Sequence, residues 1–270
     1  MASATPAPCD PRTCAYSRSV AQPLRILHIT DPHLHAERTG RLRGVATDDT
    51  LVRCLDHAFA AGPPPDAVLA TGDLVQDESR AGYERFRELL GAWGVPVYCL
   101  PGNHDDPAVM RAVLGAAPFQ FCGVARLGAW TLILLDTWTR GDDGGRLAGA
   151  ELERLDRALA ADPAGHCLVA LHHHPEPMGS AWLDGVPLRN AAEFLAVCDR
   201  HPHLRAIVWG HVHQASDRWR GAVRLLSTPS TGAQFRPLAT RFALDDRPPG
   251  YRWLELHADG TIGTTEVWVE

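Results

Sequence analysis

The chain has 270 residues, 45% of them hydrophobic and 21% charged, a globular composition long enough to bury a sizeable core in one large domain or two small ones. Its formal charge is −6, its pI about 6.1, and all 26 basic residues are Arg, a balance that excludes a broad basic footprint for nucleic acid. No run approaches the roughly 18 apolar residues that a membrane span needs.

Residues 1–22 are rich in Ala, Pro and Ser and lack the apolar stretch of a signal peptide, so they are expected to be a disordered tail preceding a single domain over 23–270. The seven Cys residues are odd in number and have no close pair at zinc spacing, which predicts reduced thiols in a cytoplasmic protein. Cys99 and Cys167 stand in apolar runs and read as small core residues.

Short apolar runs follow one another along the chain, and most end in polar residues. Arg25–Thr30 ends at Asp31, and Ala67–Thr71 ends at Gly72-Asp73. Val95–Leu100 turns at Pro101-Gly102 into Asn103-His104-Asp105, and Trp130–Leu135 ends at Asp136. Cys167–Leu171 ends at His172-His173-His174, and Ala206–Trp209 ends at Gly210-His211-Val212-His213. Runs of this kind predict strands buried on both faces. Between them, Thr50–Ala61, Ser79–Trp93, Glu151–Ala160 and Leu188–Asp199 carry apolar residues at helical spacing, with Ser79 placed as an N-cap. The alternation predicts an α/β domain, whose ligands bind beyond the carboxyl ends of the strands. After Val223 the pattern changes to alternating strands, Val223–Ser227, Tyr251–His257 and Thr261–Val269, the last two a hairpin about Ala258-Asp259-Gly260. A second sheet packed on the first is therefore expected.

Five strand ends thus carry Asp31-x-His33, Asp73, Asn103-His104-Asp105, the His172–His174 run and His211-x-His213. Imidazole and carboxylate donors without sulfur suit Fe, Mn, Zn or Co rather than Ca or Mg. Asp31, His33, Asp73, Asn103, His211, His213 and one His of the triple run make seven candidate ligands, more than one ion uses, whereas two ions sharing a carboxylate would use them and would clamp the attacking and leaving oxygens of a displacement at phosphorus. Spacing alone leaves open which residue of the triple His takes part.

The five motifs, in this order, resemble the calcineurin-like metallophosphoesterase superfamily. Further segments are similar to its bacterial class III 3′,5′-cyclic-AMP phosphodiesterases, among them Ala70–Asp77, Ser180–Asp184, Leu188–Asn190, Ser227–Thr231 and Leu254–Gly260. The resemblance implies a four-layer α/β/β/α sandwich of two mixed β-sheets. It implies one ion on Asp31, His33, Asp73 and His213 and a second on Asp73, Asn103, His173 and His211, His173 being the residue two positions before Pro175. The ions would be Fe and/or Mn, with Zn or Co as alternatives. His172 and His174 are then expected to point away from the site.

The activity so implied is hydrolysis of 3′,5′-cyclic AMP to 5′-AMP by hydroxide formed between the two ions, with phosphodiesters such as 2′,3′-cyclic nucleotides or glycerophosphodiesters as the alternative substrates. His104 is expected to protonate the leaving 3′ oxygen or to stabilise the transition state, and Asp105 either to orient that imidazole or to serve as a structural cap. Substrate contacts are expected from Asn103, His104 and His213, from Trp182 stacked on the base unless it is simply buried under its loop, and from Arg189 and Asn190 at phosphate or ribose unless they merely begin a helix. The terminal hairpin offers an edge through which two copies could pair as a homodimer.

Overall fold

The computed structural model describes residues 22–270, so the expected tail, but for its last residue, lies outside the described part. In chain order the elements are β1 (Leu24–Ile29), a small hairpin of β2 (Arg41–Leu42) and β3 (Val45–Ala46), α1 (Thr47–Ala60), β4 (Ala67–Ala70), α2 (Arg80–Gly91), β5 (Val97–Cys99), α3 (Pro107–Leu114), β6 (Phe119–Phe121), β7 (Gly123–Leu127) and β8 (Trp130–Leu134). There follow α4 (Gly149–Ala160), β9 (His166–Leu171), a 3₁₀ turn at Leu183–Gly185, α5 (Ala191–Cys198), β10 (Leu204–Trp209), β11 (Ser216–Arg220) and β12 (Val223–Ser227). The pair β13 (Gln234–Phe235) and β14 (Leu244–Asp245) precedes the closing hairpin of β15 (Gly250–Leu256) and β16 (Ile262–Trp268).

Two six-stranded sheets result, in the orders β16-β15-β1-β4-β5-β6 and β11-β12-β10-β9-β8-β7. Both are mixed. β1, β4, β5 and β6 run parallel; β15 is antiparallel to β1, and the edge strand β16 is antiparallel to β15. β8, β9, β10 and β12 run parallel, with β7 and β11 antiparallel at the edges. Strand alternation then assigns the faces. Leu132, Leu134, Leu168, Ala170, Ala206 and Val208 join the core shared with the first sheet. Ile133, Cys167, Val169, Leu171, Ile207 and Trp209 join a second core with Leu155, Leu159 and Phe194 of α4 and α5. Leu51, Cys54 and Leu55 of α1, with Tyr83, Phe86 and Leu90 of α2, cover the other side of the first sheet. The expected four-layer sandwich is the observed one.

Ser79 caps α2 by accepting from the Gly82 amide. β6, β7, β11 and α3 extend beyond the elements expected from sequence. α3 is short, and its start is set by Asp106, which accepts from the Ala108 and Val109 amides ahead of Pro107. The five described cysteines are free and buried, and among the described residues no helix is long and apolar enough to cross a membrane.

One buried cation ties the two sheets together. Arg252 on β15 is 1% exposed; it donates to the carbonyls of Ser216 and Ser227 at 3.2 and 3.0 Å, on β11 and β12, and to the Thr264 hydroxyl at 3.0 Å. Its charge is met by Glu266 at 3.3 Å. Arg252→Ala leaves those carbonyls without a donor and should cost about 3 kcal/mol, a fall in Tm of roughly 6–12 °C in a thermal melt.

Candidate metal centre and cleft

The polar residues at the strand ends converge on Asp73, in the loop after β4. Asp31, His33, Asp73, His211 and His213 all have positive φ, between 46° and 66°. Such backbone costs about 1–3 kcal/mol per residue and is held by ladder-like bonds across the loops: Asp31 N to Gly72 O at 3.1 Å, and His33 N to Asp73 O at 2.9 Å. Each loop leaves its strand in a left-handed turn that swings the side chain back over the sheet end. Glycine is required where loops touch: a Cβ on Gly102 would strike the Asp73 carboxylate and, at 2.6 Å, the His172 ring.

Two groups of donor atoms form. In the first, His213 Nε2 lies 3.2 Å from His33 Nε2 and 3.3 Å from an Asp31 oxygen, and His33 Nε2 is 3.6 Å from Asp73 Oδ2. In the second, His172 Nε2 lies 3.5 Å from Asp73 Oδ1 and 3.2 Å from Asn103 Oδ1, with the His172 and His211 rings 5.0 Å apart. Asp73 offers one oxygen to each group.

Hydrogen bonds decide which imidazole nitrogens are free. His213 Nδ1 donates to the Ala233 carbonyl at 2.7 Å, His172 Nδ1 to that of Thr71 at 2.7 Å, and His211 Nε2 to that of Val186 at 3.1 Å. Each ring therefore has its other nitrogen left for a cation or, on His172 beside Asp73, a proton. Ligands about 2.1 Å from a shared ion stand roughly 3–3.5 Å apart, so lone pairs at the observed spacings fit cations. The His33 Nδ1, buried without a partner, leaves its Nε2 as the nitrogen facing the group.

His173 differs. Its Nε2 donates to the Asp143 carbonyl at 3.2 Å and its Nδ1 accepts from the Thr137 hydroxyl at 2.7 Å. By distance alone it clusters with His172 and His211, but both its nitrogens are committed. The sequence expectation named His173; in the structure it is His172, the first residue beyond β9, that faces Asp73 and Asn103. His174 is buried, with its ring stacked on His211 at 5.7 Å.

The electrostatics fit a site built for positive charge. Burial opposes ionisation of Asp31 and Asp73, yet His213 holds Asp31 below the usual carboxylate range, and His172, with His104 and His33, holds Asp73 well below it. Burial likewise opposes a proton on His172, but Asp73 outweighs it and pushes the pKa up to about 9. Burial lowers His33 to about 3.

In the Asn103-His104-Asp105 loop it is the structural reading of Asp105 that the contacts favour. Asp105 does not reach His104. It accepts from the amides of Gly102 at 2.8 Å, Leu74 at 3.1 Å and Val75 at 3.2 Å, and from the Tyr83 hydroxyl at 2.9 Å. It thereby staples the loop after β5 to the loop after β4. Burial and Asp73 push its pKa up to about 7, while these donors favour the charged form. The neighbour of His104 is Gln76, whose amide lies 3.1 Å from His104 Nδ1. Gln76 stands three residues after Asp73 in the same loop, but only the folded loops show the contact.

A cleft of about 330 Å³ opens from His33, Asp73, Asn103, His104 and His213 and runs to Trp182, Phe235 and Phe242. Of the expected nucleoside contacts, Trp182 lines it. Arg189 does not: it donates to Asp142 at 2.8 and 3.2 Å and to the Gly185 carbonyl at 2.8 Å. Nor does Asn190, whose buried carboxamide pairs with the Leu147 amide and carbonyl, both at 3.0 Å. Both are corrected to loop-holding roles. Phe235 and Phe242, on and between the short strands β13 and β14, carry no chemical motif that would single them out in the sequence.

Sheets that end in two acceptor groups sharing a carboxylate define a dinuclear phosphoesterase architecture. The calcineurin-like phosphoesterase family matches residues 24–215, and the chain belongs to that family. It is 44% identical over 246 residues to the 3′,5′-cyclic adenosine monophosphate phosphodiesterase CpdA of Escherichia coli K12, covering 90% of this chain and 89% of that one. It is 36% identical over 242 residues to the 3′,5′-cyclic-nucleotide phosphodiesterase alr5338 of Nostoc, covering 90% and 91%. A dimetal phosphatase from Danio rerio shares the fold at a TM-score of 0.62 and 14% identity, over 92% of this chain and all of that one.

If Asp105 is a staple, Asp105→Ala should lower stability by about 3 kcal/mol, through buried amides left without an acceptor, and the drop should be seen by denaturant titration. A residue that only charged His104 would lower turnover at unchanged stability.

Proposed function

We propose that the chain is a dinuclear-metal phosphodiesterase that hydrolyses 3′,5′-cyclic AMP to 5′-AMP. The observation that carries this reading is the pair of acceptor groups sharing Asp73 at one end of a cleft whose other end is aromatic. That arrangement suits an anionic diester attached to a planar base. Relatives of that activity, alike over 90% of the chain, support it. Asp31, His33, Asp73 and His213 would hold one ion, and Asp73, Asn103, His172 and His211 the other. Mixed nitrogen and oxygen donors accept Fe, Mn, Zn and Co, with availability deciding among them; Fe and/or Mn are the ions proposed, with Zn or Co as the alternatives. When bound, two such ions lower the pKa of water and neutralise charge on the phosphoryl oxygens.

The chain's own groups supply the rest. Asn103 and His104 border the cleft beside Asp73. Gln76 occupies His104 Nδ1 and leaves Nε2 for the reacting diester. As water adds to phosphorus and the bond to O3′ breaks, His104 delivers the proton that the departing oxygen needs. Free cysteines throughout the described part support a cytoplasmic setting.

Purified protein with two equivalents of metal should convert cyclic AMP to 5′-AMP at micromolar substrate. A rate negligible beside those on 2′,3′-cyclic AMP and glycerophosphodiesters would overturn the substrate assignment. His104→Ala should lower kcat about 10²–10⁴-fold with both ions retained. Metal analysis should find His172→Ala short of one ion and His173→Ala with both; the reverse pattern would restore His173 as the ligand.

A further inference from the structure

His104 and Asn103 stand where two hollows meet. The second hollow is bordered by Glu78, Asp106 and Asp142 against Arg140, with Asp143 shared by both hollows, an acidic balance unsuited to the anionic side of a nucleotide. The first is aromatic. Phe235 stacks on His213 with ring centroids 3.9 Å apart and an 11° tilt. Trp182, Phe235 and Phe242 meet one another edge to face, at 5.1 to 5.3 Å. The aromatic arm thus begins at a candidate metal ligand and leads outward.

At its outer end is a cation that the sequence motifs do not single out. Arg43 lines the cleft, and its guanidinium carbon lies 4.7 Å from the centre of the Phe242 ring. Arg43 and Gly44 form the turn between β2 and β3, with φ of +52° and +89°. Two positive φ values are the signature of a tight hairpin turn, so the direction of Arg43 is set by the backbone. Arg43 is exposed to solvent, and among the described residues no carbonyl or side chain accepts from its guanidinium and no carboxylate pairs with it. A planar fork of N–H donors that no protein group occupies therefore stands at the solvent-facing rim of the aromatic cleft, over the Phe242 ring.

We propose that Arg43 is a substrate-contacting specificity residue, which donates to the ring nitrogens of a nucleobase lying against Trp182 and Phe242. This deepens the cyclic-nucleotide reading and rests on it. Heteroaromatic bases present both what the slot takes, a flat apolar face, and what Arg43 lacks, in-plane acceptors.

The test compares wild type, Arg43→Asn and Arg43→Lys on cyclic AMP and on methyl ribofuranoside 3′,5′-cyclic phosphate, which keeps the phosphate ring and leaving oxygen but has no base. Asn tolerates the positive φ and is too short to reach the slot. Arg43→Asn should raise KM for cyclic AMP about tenfold with kcat little changed, and Arg43→Lys, which keeps charge but not the fork, should recover only part. kcat/KM on the base-free diester, metal content and Tm should stay at wild-type values. An unchanged KM for cyclic AMP, or an equal loss on both substrates, would overturn the assignment. Failure of the underlying function shows differently, as no cyclic-AMP turnover by wild type, and removes this assignment with it.

Discussion

Asp105 carries out the task on which the site depends: it joins the loop after β4 to the loop after β5 through amides of both. Without that joint, Asp73 and Asn103 would sit on independent loops. The dependence arises from charge. Asp31, Asp73 and the free imidazole nitrogens direct lone pairs at one another inside a low-dielectric pocket, and such groups separate unless the backbone forbids it or a cation joins them. The fold does the forbidding, with left-handed turns at the strand ends and with carbonyls of Thr71, Val186 and Ala233 that fix which nitrogen of each ring is bare. A binding site assembled at such cost is preorganised, so an arriving ion need not order it.

Much of this is visible in the residues before folding. Buried parallel strands announce themselves as apolar runs, and a polar group placed just beyond five of them has few structural reasons to be there. The two-sheet architecture followed from the same runs together with the alternating C-terminal strands. Where the reading and the geometry part, chain position stood in for space. Counting back from Pro175 selects His173, but the direction of a side chain is set by where β9 ends, and the first residue past Leu171 is His172. Asp105 adjoins His104 along the chain, yet a tight turn sends neighbouring side chains to opposite sides, and the partner of His104 comes from another loop. Arg189 and Asn190 have the chemistry of substrate contacts and spend it on backbone and on Asp142. None of these partnerships has a signature in one dimension, because each joins residues 28 to 47 apart.

The division of labour within the cleft follows from the same geometry. Sheets shared with a phosphatase at 14% identity cannot choose a substrate, since the architecture alone hosts many. The acceptor groups act at phosphorus and are indifferent to what the diester carries. Discrimination must come from the walls, and these are built by segments outside the two large sheets: the β2–β3 hairpin, the stretch containing Trp182, and the β13–β14 pair with Phe242 between its strands. His213 is the one residue common to both functions, a candidate ligand on one edge and a stacking partner of Phe235 on its face. A change in the aromatic wall therefore bears on the orientation of a metal-facing imidazole as well as on affinity. By contrast Arg43, a ring further out and held by its own turn, can alter recognition without touching the groups that act on phosphorus.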